Sequence, residues 1–331
     1  MLFSALFALA TAASTLAAPA ANFTRCDNHV TYQEFHALEA QFASDYAAAV
    51  ANETQGVIAR APEPISVALR RTVHVVWHII QESTALTGGA ISDDAVRSSI
   101  DAMNTHYSGS TFRFVLDSIT RTTNVDWFRQ ATRGNAYQTA MKTALHTGDA
   151  TVLNVYSVGF TTSSLLGYAT WPWDYSANHA DDGVVILYSS VPGGSTPHYN
   201  EGKSLTHEVG HWLGLFHVFD DYRTCNDTDG VSDTPPQSSP SFGCPTSKDS
   251  CTAKPGLDSI HNYMDYSDDP CMNQFTPGQI ARMQAQALTY RGIRGVAYPP
   301  FTILFPTPIL TAPMPDPTLI PIPAPAPGGG L

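Results

Sequence analysis

The chain has 331 residues, 43% hydrophobic and only 14% charged, with a net charge of -12. That length and balance suit a folded protein of one or two domains with a sizeable core, and exclude a disordered chain. An acidic balance without any run of Lys or Arg offers no phosphate-neutralising surface, so neither nucleic acid nor an anionic membrane is an expected partner.

No charged side chain precedes Arg25, residues 2–16 are apolar or small, and Ala18-Pro19-Ala20 supplies a small-x-small cleavage site. Residues 1–18 therefore read as a secretory signal peptide. The apolar run is too short and too rich in Ala, Ser and Thr for a membrane span, and no later segment is apolar enough for one. The sequons at Asn22, Asn52 and Asn226 fit export. Thr31 and Glu34 have the spacing of a helix capping box, and Phe35, Leu38 and Phe42 share one face. They predict a short amphipathic helix over about residues 32–49, too small to be a domain and expected to pack on the body of the chain beyond it. Arg70-Arg71 reads equally as a processing site or a solvated strand edge. Residues 19–71 are assigned to a propeptide-like segment.

Val73–Ile80 is β-branched and apolar almost throughout, as a buried strand is. Ser92 should open a helix through about Tyr107, with Val96, Ile100 and Met103 inward. Phe112–Leu116 reads as a strand, Ala136–His146 as a helix, and Val152–Val158 and Val184–Tyr188 as strands. The alternation predicts an α/β (α+β) layered domain over residues 72–298, built on a twisted, mostly parallel sheet. Residues 220–260 lose all periodicity and hold Cys225, Cys244 and Cys251, with Cys271 beyond; in an exported chain these four read as two disulfides, of three possible pairings. Thr276-Pro277-Gly278-Gln279 opens a last helix to about Tyr290, and the Pro-rich stretch 299–331 predicts an extended or disordered tail.

The chemistry is concentrated in His207-Glu208-Val209-Gly210-His211-Trp212-Leu213-Gly214-Leu215-Phe216-His217. Residues four apart share a helix face, so His207 and His211 can aim at one point. A continuing helix would carry His217 to the far side; Gly214 can end it and turn the chain back. Three imidazoles leave an open zinc position, with Glu208 beside it to accept a proton from water: the pattern of catalytic zinc.

This string, with Asn262-Tyr263-Met264-Asp265-Tyr266 downstream, resembles the secreted fungal-type metalloproteases of the pappalysin branch of the metzincins. The resemblance spans most of Val73 to Tyr298. It implies a metzincin-like fold with a disulfide-held C-terminal lobe, a zinc-dependent endopeptidase activity on protein or peptide substrates, Met264 as an apolar floor beneath the metal, and Tyr266 as a donor to the oxyanion. It also implies the pairings Cys225 with Cys251 and Cys244 with Cys271. Arg25-Cys26 resembles a short cysteine-switch motif in which a thiolate takes the open metal position, although Asp27 stands where that motif has Gly. Calcium is a second ion the family carries, for which Asp220, Asp221, Asp227, Asp229, Asp233 and Asp249 supply oxygen atoms. A secreted monomer is expected. The alternative is a non-catalytic secreted binding or adhesion protein on a metzincin scaffold; its sign would be a missing Glu208 or zinc ligand. A downstream Glu as third ligand is ruled out, since no Glu follows Glu208.

Overall fold

The computed structural model describes residues 23–57, 69–221, 223–226 and 229–297. The expected signal peptide, Asn22, Asp227 and the Pro-rich stretch 299–331 lie outside those residues. Strand β1 is Thr24–Cys26, followed by helix α1 at Tyr32–Val57, β2 at Leu69–Gln81, α2 at Asp93–His106, β3 at Phe112–Thr123, and α3 at Val125–Gln130. Then come α4 at Ala136–Leu145, β4 at Val152–Val158, β5 at Leu165–Ala169, β6 at Val184–Leu187, α5 at Lys203–Trp212, α6 at Pro277–Arg291 and β7 at Val296–Ala297.

The strands form one mixed sheet in the order β1-β5-β6-β4-β2-β3, with β7 pairing β2. β6, β4, β2 and β3 run parallel to one another; β5 is antiparallel to β6, and β1 is parallel to β5. From Val75 to Ile80 β2 is apolar except for His78, because both faces are covered there. Val73, Val75, Trp77 and Ile79 face the core that also holds Val96, Ile100, Leu205, Val209 and Met283. Ile80 faces the opposite core with Phe128, Met141, Tyr156 and Tyr168. Successive residues point to opposite faces, so only an uninterrupted apolar run serves a strand buried on both.

Several elements match their local signals. The Ser92 side chain caps α2 by accepting from the Ala95 amide at 3.1 Å. Thr31 and Glu34 close the box at the start of α1, each side chain accepting from the other's amide, at 3.1 and 2.8 Å. Thr276 and Gln279 do the same for α6. Four elements were not expected: β1, β5, β7 and α3. β1 is three residues long and β5 is buried at all five positions, so neither carries a period-2 signature; each is a strand because an edge was there to pair with. α1 also runs beyond residue 49, to Val57.

β2 begins at Leu69 and its start pairs β7 through Leu69↔Ala297 and Arg70↔Val296. The boundary drawn after Arg71 therefore falls inside a strand, and the Arg71 amide donates to the Thr111 carbonyl at 2.9 Å. Cleavage there would first require unzipping the strand. After α5 the chain has almost no regular structure until α6. Disulfides join Cys225 to Cys251 and Cys244 to Cys271, and closing such loops removes disorder from the unfolded chain. Side chains replace a ladder: Asp265 Oδ1 accepts from the Ser241 and Tyr266 amides at 2.9 and 2.8 Å.

Candidate active site

All ten residues of α5 are buried, and His207 and His211 lie on its inner face. The helix stops at Trp212, and Gly214 takes φ 88°, a conformation that favours glycine. A Cβ at Gly214 would also lie 2.6 Å from the Gln286 side chain. The turn is closed by the Leu215 amide donating to Gly210 at 2.9 Å and the Gly214 amide donating to His211 at 2.8 Å. Beyond it the chain doubles back, bringing His217 Nε2 to 3.1 Å from His211 Nε2, itself 3.2 Å from His207 Nε2.

The three nitrogens test whether the site fits a metal. His207 Nδ1 donates to the Tyr263 carbonyl and His211 Nδ1 to the Leu215 carbonyl, both at 2.7 Å. Those bonds place the ring protons on Nδ1 and leave the Nε2 lone pairs facing one another in a dry interior. Burial first, then the neighbouring imidazoles, pushes both histidines well below their ordinary pKa, so they are neutral. Converging lone pairs repel unless a cation lies between them, and nitrogens held 2.0–2.1 Å from a tetrahedral ion would be about 3.3 Å apart. The donor set fits a zinc-like ion.

Glu208, one residue on from His207, is fully buried; its Oε1 has no hydrogen-bond partner and its Oε2 accepts from Cys26 Sγ at 3.3 Å. Burial raises its carboxyl well above the ordinary range, the expected response of a charge in an apolar setting. Room for it depends on Gly167 of β5, where a Cβ would lie 2.7 Å from Glu208 Cγ. Cys26 pairs in register with Gly167, so β1 lies along the strand edge that borders the site. The sulfur of Cys26 and the nitrogens of the three histidines lie within 4.8 Å of one another. Burial, then the charge of Glu208, raises the Cys26 thiol well above its ordinary pKa. The cation implied by the donor set would oppose that shift.

Met264 is fully buried under α5, where a Cβ on Gly210 would lie 2.4 Å from its sulfur. The Tyr266 hydroxyl donates to the Cys26 carbonyl at 3.0 Å and lies 3.3 Å from His217 Nε2. Asp221 stands behind His217, its Oδ1 3.5 Å from Nδ1. Burial opposes the ionisation of Asp221, but hydrogen bonds from His217 and His29 hold its carboxyl well below the usual range.

The other aspartates of the lobe are engaged locally. Asp220 accepts from Thr224, Asp229 from the Val231 amide and Thr234, Asp233 from Thr276 and the Gly278 amide, and Asp249 from the Cys251 amide. Among the described residues they form no group able to hold a metal; the two such groups are Cys26 with the three histidines, and His29 with His217 and Asp221. Asn52 and Asn226 are exposed. Sequence reasoning missed Asp269. It lies buried beside the site, with Oδ1 2.9 Å from Arg25 Nη2 and Oδ2 accepting from the Glu201 amide at 2.9 Å. Arg25 also donates to the Ser267 carbonyl at 2.7 Å, and its guanidinium lies 4.9 Å from the centre of the Tyr199 ring. Asp269 belongs to the same acidic run as Asp265 and Asp268; Asp265 is equally buried, and only the pairing with Arg25 sets Asp269 apart.

A peptidase family M43 model, described as pregnancy-associated plasma protein-A, matches residues 149–288. An extracellular metalloprotease of Arthroderma otae is 46% identical over 65% of this chain and 77% of its own length. One from Pyricularia oryzae is 43% identical over 66% and 76%. Among solved structures, a Tannerella forsythia promirolysin mutant aligns with TM-score 0.59 and 27% identity over 80% of this chain and 94% of its own. Mature mirolysin with a cleaved peptide aligns at TM-score 0.54 and 27% identity over 71% and 100%.

Proposed function

The chain belongs to the M43 family of metallopeptidases, and on that premise we propose that it is a secreted zinc endopeptidase held latent by its own N-terminal segment. The observation that carries this reading is the convergence of His207, His211, His217 and Cys26 on one point beside the unpartnered oxygen of Glu208. His207, His211 and His217 would hold the ion. When bound, zinc polarises a peptide carbonyl and makes a neighbouring water more acidic. Glu208 accepts the proton of the attacking water and delivers it to the departing amine, serving as base and then acid. Tyr266 donates to the oxygen on which negative charge develops; the Cys26 carbonyl it now meets at 3.0 Å stands in for that of a substrate. Met264 packs beneath the ligands and holds the helix at its distance from the turn. Export and glycosylation at Asn22, Asn52 and Asn226 accord with the extracellular relatives. No helix among the described residues is long and apolar enough to cross a membrane.

Chelation should abolish cleavage of a protein substrate, and zinc should restore it; cleavage that persists in chelator would remove the metal from the mechanism, and no cleavage by the processed, zinc-loaded protein would return the chain to the non-catalytic binding reading. In the full-length chain, Cys26→Ser should give activity without processing, because a hydroxyl is a far weaker zinc ligand than a thiolate. A variant as latent as the wild type would remove Cys26 from the latency mechanism.

Arg25 precedes Cys26 on the strand lying in the cleft, and its guanidinium occupies a buried pocket with Asp269 at one wall. A substrate threading the same edge would place a side chain there, and an unpaired buried carboxylate favours a cation. The enzyme should therefore prefer Arg or Lys next to the scissile bond. Peptide-library cleavage by the activated enzyme should show that enrichment, and Asp269→Asn should flatten it; a library profile unchanged in the variant would exclude Asp269 as the determinant.

A further inference from the structure

The outer nitrogens of the three clustered imidazoles are not held alike. Those of His207 and His211 each meet a backbone carbonyl at 2.7 Å. That of His217 instead faces Asp221 Oδ1 at 3.5 Å, and the same oxygen is only 3.0 Å from His29 Nδ1. His29 lies three residues beyond Cys26 on the N-terminal segment, and its ring centre is 6.0 Å from that of His217. Asp221 cannot be replaced in this role by its neighbour, because Asp220 accepts from the amide and hydroxyl of Thr224.

The geometry points to Asp221 as the positioning residue for His217, and to His29 as the group through which the N-terminal segment draws that carboxylate away from it. A ligating imidazole is ordinarily oriented by a partner on its other nitrogen, which sets the tautomer and raises the basicity of the ligating atom. In the latent chain Asp221 accepts its shorter bond from His29, so His217 is the least firmly held of the three. The segment thus bears on the metal centre twice: Cys26 at the open position, and His29 behind the third ligand. Once His29 departs, Asp221 has one imidazole to serve, and His217 Nδ1 gains the undivided acceptor.

This inference rests on the three imidazoles being metal ligands, and the test separates the two. Zinc dissociation constants are measured on the full-length chain by competition with a chromophoric chelator. Asp221→Ala should weaken zinc binding by about ten- to hundred-fold, and Asp221→Asn, which keeps an acceptor oxygen and the side-chain shape, should weaken it less. His29→Ala should tighten zinc binding when Asp221 is present and leave it unchanged in the Asp221→Ala background. A zinc constant unaffected by either Asp221 variant overturns the proposal, as does a His29→Ala effect of equal size with and without Asp221. His211→Ala is the control: if zinc binding survives it, the metal reading itself fails, whatever the Asp221 variants do.

Discussion

Glu208→Gln is expected to lower kcat by about 10²–10⁴-fold, the usual contribution of a positioned general acid–base, while zinc content and KM stay near those of the parent. Gln keeps the shape and one carbonyl oxygen but cannot take a proton from water or return one to the leaving amine. The side chain is fully buried with Oε1 unpartnered, so replacing an ionisable group with a neutral one should leave the melting temperature unchanged or higher. That separates a chemical defect from a folding defect. The measurements are single-turnover cleavage of an activated sample, bound zinc and a thermal melt. A Gln variant that retains half of the parental rate would remove Glu208 from the mechanism.

The second large effect lies behind the site. Asp182 and Arg291 form a buried bidentate pair at 3.0 Å on both arms, and Asp182 Oδ2 also accepts from Trp212 Nε1 at 3.0 Å. Arg291 Nε donates to the Trp212 carbonyl at 2.9 Å. The pair therefore ties the end of α5 to the end of α6, which helps hold His211 in place. Asp182→Ala strands a guanidinium in the interior, and removing one partner of such a pair typically costs about 3–5 kcal/mol. For a domain of this size that corresponds to a fall in Tm of roughly 6–20 °C.

The same pair predicts the acid limb of stability. Burial pushes the Asp182 carboxyl up, but the charge and hydrogen bonds of Arg291, with those of Trp212 and Thr170, outweigh it and hold the carboxyl below its ordinary range. A folded pKa below the unfolded one means the contribution is complete above about pH 4 and is lost as the pH falls through the folded value. The Tm difference between wild type and Asp182→Asn should therefore be constant near neutrality and shrink below about pH 4. A difference that holds steady down to about pH 2 would show that the Asp182 charge is not what the pair contributes.

The sequence by itself determined the metal-binding string, because helix periodicity puts His207 beside His211 and Gly214 is suited to the positive φ that turns His217 back. It also determined the helices with clear caps, at Ser92 and Thr276, and the long apolar strand Val73–Ile80, since these depend on neighbours within a few residues. β1 and β5 depended on the tertiary structure: three residues containing Arg and Cys have no periodicity, and they become a strand only along an existing edge. The same holds for what surrounds the histidines. Arg25 meets Asp269 across 244 residues and Tyr266 meets Cys26 across 240, separations over which no local pattern operates. Asp221 reads in the sequence as one aspartate in a surplus of them. Only the fold turns it from a calcium candidate into the carboxylate shared by His217 and His29, because burial and direction, not residue type, decide which acid faces which imidazole.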